Sequence, residues 1–258
     1  MIRAYGVLCF VVTSLLVAGR MAEAQAASEK APAQVKGLPS GARIIETRAI
    51  KPEIRADRAL VLWMINPTEN RREGSEEYSC PEFSRGSHFS GPTRASLVNA
   101  REGSIINTIP IKDAEGEDRF DIPFRIRGGF YYTVKGVTNE AEGTPTILDL
   151  KDINGDGVDC EFALFDQQAC MGLATTSIGY SRNQDKVICY PIHLTRSDGK
   201  TTVSNWADYL FEKKPISPGV WKYEIDYRGR GGSLDSYEIR YNREQERFTG
   251  KLSSVGGE

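Results

Sequence analysis

The sequence predicts an all-β, antiparallel fold with few or no helices, and three observations carry that prediction. Short apolar or alternating runs recur along the chain, separated by Gly, Asn, Asp and Pro turn signals. Two runs alternate strictly: Trp221, Tyr223, Ile225 and Tyr227 against Lys222, Glu224, Asp226 and Arg228, then Tyr237, Ile239 and Tyr241 against Glu238 and Arg240. That period of two puts successive side chains on opposite faces of a strand. The third observation is the continuous apolar stretch Ala59 to Ile65, which suits a central strand buried on both faces and makes Trp63 a core residue. Sequential hairpins favour a meander over parallel crossovers, arranged as a sandwich or a small propeller-like body.

Residues 1–26 read as an export signal. Arg3 supplies the positive start, and Val7 to Ala18 form an apolar core too short to span a bilayer. Ala22-Glu23-Ala24 and Ala24-Gln25-Ala26 both fit small-x-small cleavage, and Cys9 lies too far upstream to be a lipoprotein anchor. The expected location is therefore periplasmic or secreted. Losing Arg3, Arg20 and Glu23 takes the formal charge from −2 to −3. Both signs are interspersed, which excludes the strong basic field that captures nucleic acid or anionic lipid. No later stretch approaches the roughly 18 apolar residues of a membrane span. Residues 27–42, rich in Ala, Pro, Lys and Gly, read as a flexible linker, and residues 43–258 as a single β-rich domain.

The remaining elements follow in order. Arg58 to Asn66 is the central strand. Pro67 to Gly91 is a long polar loop holding Cys80, His88 and the run Ser84 to Ser90. Thr93 to Ala100 and Ser104 to Ile111 form a hairpin about Arg101-Glu102-Gly103. Phe120, Ile122, Phe124 and Ile126 alternate with polar residues, and Pro123 assigns that strand to a sheet edge. Gly129 to Gly136 and Thr146 to Leu150 lead into an acidic loop. Cys160 to Asp166, Ala174 to Ser181 and Lys186 to Leu194 make a meander after it. Ser204 to Lys213 fits a helix or a strand equally, and Arg228 to Ser233 is a glycine hairpin loop.

The chemistry is concentrated in Leu148 to Phe165, LDLKDINGDGVDCEFALF. Asp152, Asn154 and Asp156 hold alternate positions and Gly157 follows at once. Calcium takes about 6–8 hard oxygens, and alternate side chains converge on one ion when a glycine lets the backbone turn at the sixth position. The backbone carbonyl of Val158 adds a ligand at the seventh. The start matches the D-x-[DN]-x-[DN]-G pattern of calcium loops. Position twelve is Ala163, so the bidentate glutamate of a helix–loop–helix EF-hand is missing. The flanks are strand-like, and the loop resembles the calcium loops of FG-GAP and VCBS repeats, which run D-x-N-G-D-G-x-x-D into a strand. In that resemblance the closing acid falls on Cys160, so a neighbouring acid supplies the last ligand, Glu161 in preference to Asp159. The alternative is a metal-free hairpin, because Asn-Gly and Asp-Gly are also strong turn dipeptides.

Cys80, Cys160, Cys170 and Cys189 survive signal cleavage, and an even number in an oxidising compartment suggests disulfides. Cys160 and Cys170 bracket one strand and a turn, so a Cys160–Cys170 bond is expected, leaving Cys80–Cys189. Zinc is disfavoured: Cys189 and His193 in one strand would stand about 13 Å apart, and no Cys-x-x-Cys occurs. No nucleophile motif surrounds Ser87 or Ser90. The chain thus reads as a calcium-stabilised extracytoplasmic binding or adaptor module of unknown envelope or extracellular ligand. The alternatives are a secreted hydrolase of an envelope polymer or small ester, with the Pro67 to Gly91 loop its suspect region, and a structural secreted protein without metal.

Overall fold

Strands follow the alternating and apolar runs closely. The computed structural model describes residues 32, 34–71, 86–126, 130–133, 136–139, 146–168 and 172–256. Within them the chain is all-β, with one short helix at Pro52–Arg55 and a 3-10 turn at Arg228–Arg230. In chain order the first strands are β1 (Ala42–Ala49), β2 (Arg58–Ile65), β3 (Thr68–Asn70), β4 (Gly86–Gly91), β5 (Thr93–Asn99) and β6 (Ile105–Ile111). Then come β7 (Phe120–Ile126), β8 (Phe130–Thr133), β9 (Gly136–Asn139), β10 (Glu161–Gln168), β11 (Gly172–Ser181) and β12 (Lys186–Cys189). The last are β13 (Ile192–Arg196), β14 (Thr201–Ser204), β15 (Ala207–Asp208), β16 (Val220–Asp226), β17 (Leu234–Asn242) and β18 (Arg247–Val255). No helix among the described residues is long and apolar enough to cross a membrane. The expected export signal lies outside the described residues.

The first sheet runs β1-β2-β5-β6 and the second β3-β4-β7. Central β2 is buried on both faces, as its unbroken apolar run demands: Leu60, Leu62 and Met64 enter one core, Ala59, Val61 and Trp63 another. Buried Trp63 donates its indole N–H to Ser96 Oγ at 2.9 Å, so its one polar atom has a partner. Among the described residues β7 pairs only with β4, the edge position that Pro123 predicts. The third sheet runs β10-β11-β12 with β15 on β11, the fourth β14-β13-β18-β17-β16, and β8 pairs with β9. One face of the third sheet (Phe162, Leu164, Ile178, Val187) shares a core with Leu60 and Leu97 of the first. From its other side Ala163 and Ile188 reach the core of the fourth, built on Trp221, Tyr223, Ile239 and Phe248. Packed on both faces, β11 is buried along its whole length.

Several expectations change for identifiable reasons. Lys186 to Leu194 does not form one strand. It breaks at Tyr190-Pro191, where Pro191 has no N–H for a ladder. Tyr190 N–H still donates to Ser177 in the third sheet, whereas the Pro191 carbonyl accepts from Phe248 in the fourth. The chain changes sheets there, and β13 pairs with β18 in parallel, the exception among the antiparallel strand pairs of the described residues. Thr146 to Leu150 is no strand, because the amides of Ile147 and Leu148 donate to the Glu46 carboxylate instead of a ladder. The stretch read as linker is docked from Val35, which packs against Ala59 and Val61. Ser204 to Lys213 is mostly turn, with Leu210 and Phe211 buried in the fourth-sheet core. One of the expected charge pairs across β16 and β17 forms, Lys222 with Glu238 at 2.8 Å, whereas Glu224 takes the Ser236 hydroxyl.

Candidate functional site

The acidic loop hangs between two backbone hydrogen bonds that Lys151 and Glu161 exchange, at 2.7 and 3.1 Å. Its alternate side chains curl the backbone between them. Asp152 Oδ2 accepts the Gly157 N–H, Asn154 Oδ1 accepts that of Asp156, and Asp156 Oδ1 accepts that of Val158, each at 2.9 Å. Gly155 and Gly157 take the left-handed conformation, at φ +76° and +89°. The loop's tip docks on the turn that leads into β16: a Cβ on Gly155 would lie 1.9 Å from Gly219 N. Only glycine at both places permits that approach.

Asp152, Asn154 and Asp156 are therefore brought together on one curled loop, as the spacing predicts. Two of their polar atoms, Asp152 Oδ1 and Asn154 Nδ2, are buried without a hydrogen-bond partner. A buried polar atom left unmatched costs about 1–3 kcal/mol, so an oxygen in that position suits a cation. The Asn154 carbonyl oxygen takes the Asp156 N–H with one lone pair and keeps a second for an ion, and turning the amide over would put that oxygen where the unmatched Nδ2 now lies. The other expected ligands face protein groups. The Val158 carbonyl accepts the Cys160 N–H at 3.0 Å. Glu161 Oε2 accepts the Ile153 N–H at 3.2 Å, and Oε1 accepts the Tyr190 hydroxyl at 3.4 Å. Asp159, the neighbour passed over, accepts the Asp152 N–H and an ion pair from Lys51. Among the described residues no three His, Cys, Asp or Glu side chains close into a metal-holding group. The fit to calcium thus rests on Asp152 with Asn154 and Asp156, and not on a finished cage of carboxylates.

Glu161 is only 1 % exposed. Burial first, then the charge of Asp156 and, less, of Asp152, push its carboxyl up to about 9, against the pull of the Ile153 amide. The Cys160 thiol is pushed up to about 12, by burial and then by Glu161. Burial also raises the Tyr190 phenol, with Glu161 the next cause. A divalent cation on the loop would act oppositely, favouring the ionised carboxylate.

Beside the loop lies a cleft of about 380 Å³, including its open mouth. Asp156 and Glu161 form one wall, Arg182 the β11–β12 turn side, Arg243 and Glu246 the β17–β18 turn side, and Tyr190 belongs to its lining. Arg182 Nη2 lies 3.3 Å from Asp156 Oδ2, and Arg243 Nη2 donates to the Asp156 backbone carbonyl at 2.8 Å. Sequence reasoning missed these cleft residues, because they come from turns tens of residues apart that share no local spacing.

The cysteine expectation needs correction. Cys160 and Cys189 are free thiols, and Cys80 and Cys170 lie outside the described residues. A Cys160–Cys170 bond is incompatible with β10. The ladder places Cys160 beside Tyr180 and pairs Gln168 with Gly172 at the opposite end, about 26 Å away along an extended strand. The two residues from Gln168 to Cys170 reach no more than about 7 Å back. Cys189 and His193 fall on different sheets, which removes the zinc reading's geometry. In the former loop, the Ser90 hydroxyl donates to Asp121 Oδ1 while His88 Nε2 lies 3.6 Å from Asp121 Oδ2. The carboxylate thus stands between serine and imidazole, whereas a nucleophilic triad needs the imidazole in the middle.

Comparison with protein-family models, curated proteins and solved structures found no match. The functional reading therefore rests on the residues themselves.

Proposed function

We propose that the chain is an exported, calcium-stabilised binding module whose ion sits on the loop of Asp152, Asn154 and Asp156. One observation carries this reading: Asp152 closes the loop with Oδ2 and leaves Oδ1 buried and unmatched. The Val158 carbonyl has a second lone pair for the ion, and Glu161 is the nearby acid able to ionise against it. With few acids in the set, affinity should be weak, about 10⁻⁴–10⁻³ M as in extracellular modules. Equilibrium dialysis of the mature chain should find one calcium per chain in that range, and none for Asp152→Ala. No bound calcium at about tenfold higher concentration rejects the reading.

A structural protein without metal is the second reading. It is favoured by the loop's own closure, in which Lys51 neutralises Asp159 and Arg182 meets Asp156 without any ion. The same dialysis separates the two.

A further inference from the structure

We propose that the cleft beside the loop binds a small carboxylate-bearing ligand, an acidic sugar or an acidic amino-acid derivative, through Arg182 and Arg243. The inference rests on the binding-module reading and names the chemistry of its ligand.

The acceptors in the cleft are already occupied. Asp156 Oδ1 takes the Val158 amide and Oδ2 faces Arg182. Glu246 takes the Ser181 hydroxyl at 2.6 Å and the Gln184 amide at 2.9 Å. Glu161 takes the Ile153 amide and the Tyr190 hydroxyl. The donors are not. Arg182 and Arg243 each engage through Nη2 alone, although a guanidinium carries five N–H groups in a fixed fork. Arg243 meets only a neutral carbonyl and makes no ion pair among the described residues. The Tyr241 hydroxyl also lines the cleft and has no hydrogen bond among them.

The spare donors favour an entering group that brings acceptors, and the group that matches a guanidinium fork is a carboxylate. The ligand's body has the half-buried Tyr241 ring to lie against, held edge to face by buried Tyr190 with ring centroids 5.8 Å apart. The enclosed part of the cleft is about 60 Å³, room for the carboxylate end alone, so the ligand's body lies at the open mouth.

The test is isothermal titration of the mature chain with glucuronate, N-acetylglutamate and glucose, in calcium and in chelator. At least one acid should bind and glucose should not; the preferred acid tells a sugar source from an amino-acid source. Arg182→Gln and Arg243→Gln should each weaken binding about tenfold or more, the loss of one charge-assisted contact. Both side chains are exposed, so the variants keep the fold, checked by their melts. Arg240→Gln, exposed on β17 outside the cleft, should bind as the wild type does. Failure of both acids to bind, equal binding of glucose, or arginine variants matching the wild type overturns the inference. If an acid binds but calcium does not, the metal reading falls and the cleft stands. Calcium binding without acid binding has the reverse meaning.

Discussion

Glu161 stands where the loop rejoins β10, with its carboxyl raised from 4.5 to about 9 by burial and then by the charge of Asp156. The sign of the consequence follows from proton counting. Between about 4.5 and 9 the folded protein holds a proton that the unfolded chain has lost. In chelator, stability should therefore be fully present below the lower value and fall as pH rises through the window. Glu161→Gln keeps an oxygen for the Ile153 amide and removes the titration. Urea unfolding across pH should give that variant a shallower decline and greater stability at the alkaline end; an unchanged slope would mean that Glu161 ionises without cost. Part of this residue's role is legible in the sequence, since it is an acid next to the position where Cys160 replaces one. Its contact with Tyr190 is not, because 29 residues separate them and the pairing of β10, β11 and β12 brings them together.

The loop shows the same division at the scale of an element. The pattern D-x-N-x-D-G marks Gly157 as the turning residue, and Gly157 does take a left-handed φ. The tighter constraint is on Gly155, and it comes from Gly219 on the approach to β16, which no local pattern reveals. A Cβ on Gly157 meets nothing within 4 Å, so Gly157→Ala should cost only the left-handed penalty, about 1–2 kcal/mol. A Cβ on Gly155 would lie 1.9 Å from Gly219 N, a backbone atom that cannot rotate away. Gly155→Ala should cost about 3 kcal/mol or more, read from denaturant midpoints. Similar costs for the two variants would show that the loop is not docked on the turn that leads into β16. Elsewhere period-two patterning found β16, β17 and β7 because packing on one face leaves a clear record. It passed over β18, where Gly250 and a Ser-Ser pair dilute the alternation.

At the scale of the molecule, the strands were legible but their distribution among sheets was not. An apolar run says that a strand is buried, not which neighbours bury it, and β11 lies between two cores supplied from distant parts of the chain. The loop occupies a sensitive place in that arrangement. It leads directly into β10, docks on the approach to β16, and so ties the third sheet to the fourth. An ion held there stabilises the folded state as a whole, by about 2.7 kcal/mol at 100 times its dissociation constant. For a chain of this size that corresponds to a rise in Tm of roughly 5–10 °C. The most direct measurement is a pair of calorimetric melts of the mature chain, one in saturating calcium and one in chelator, repeated with Asp156→Ala. The calcium account predicts that rise for the wild type and none for the variant; coincident wild-type melts in calcium and in chelator would contradict it.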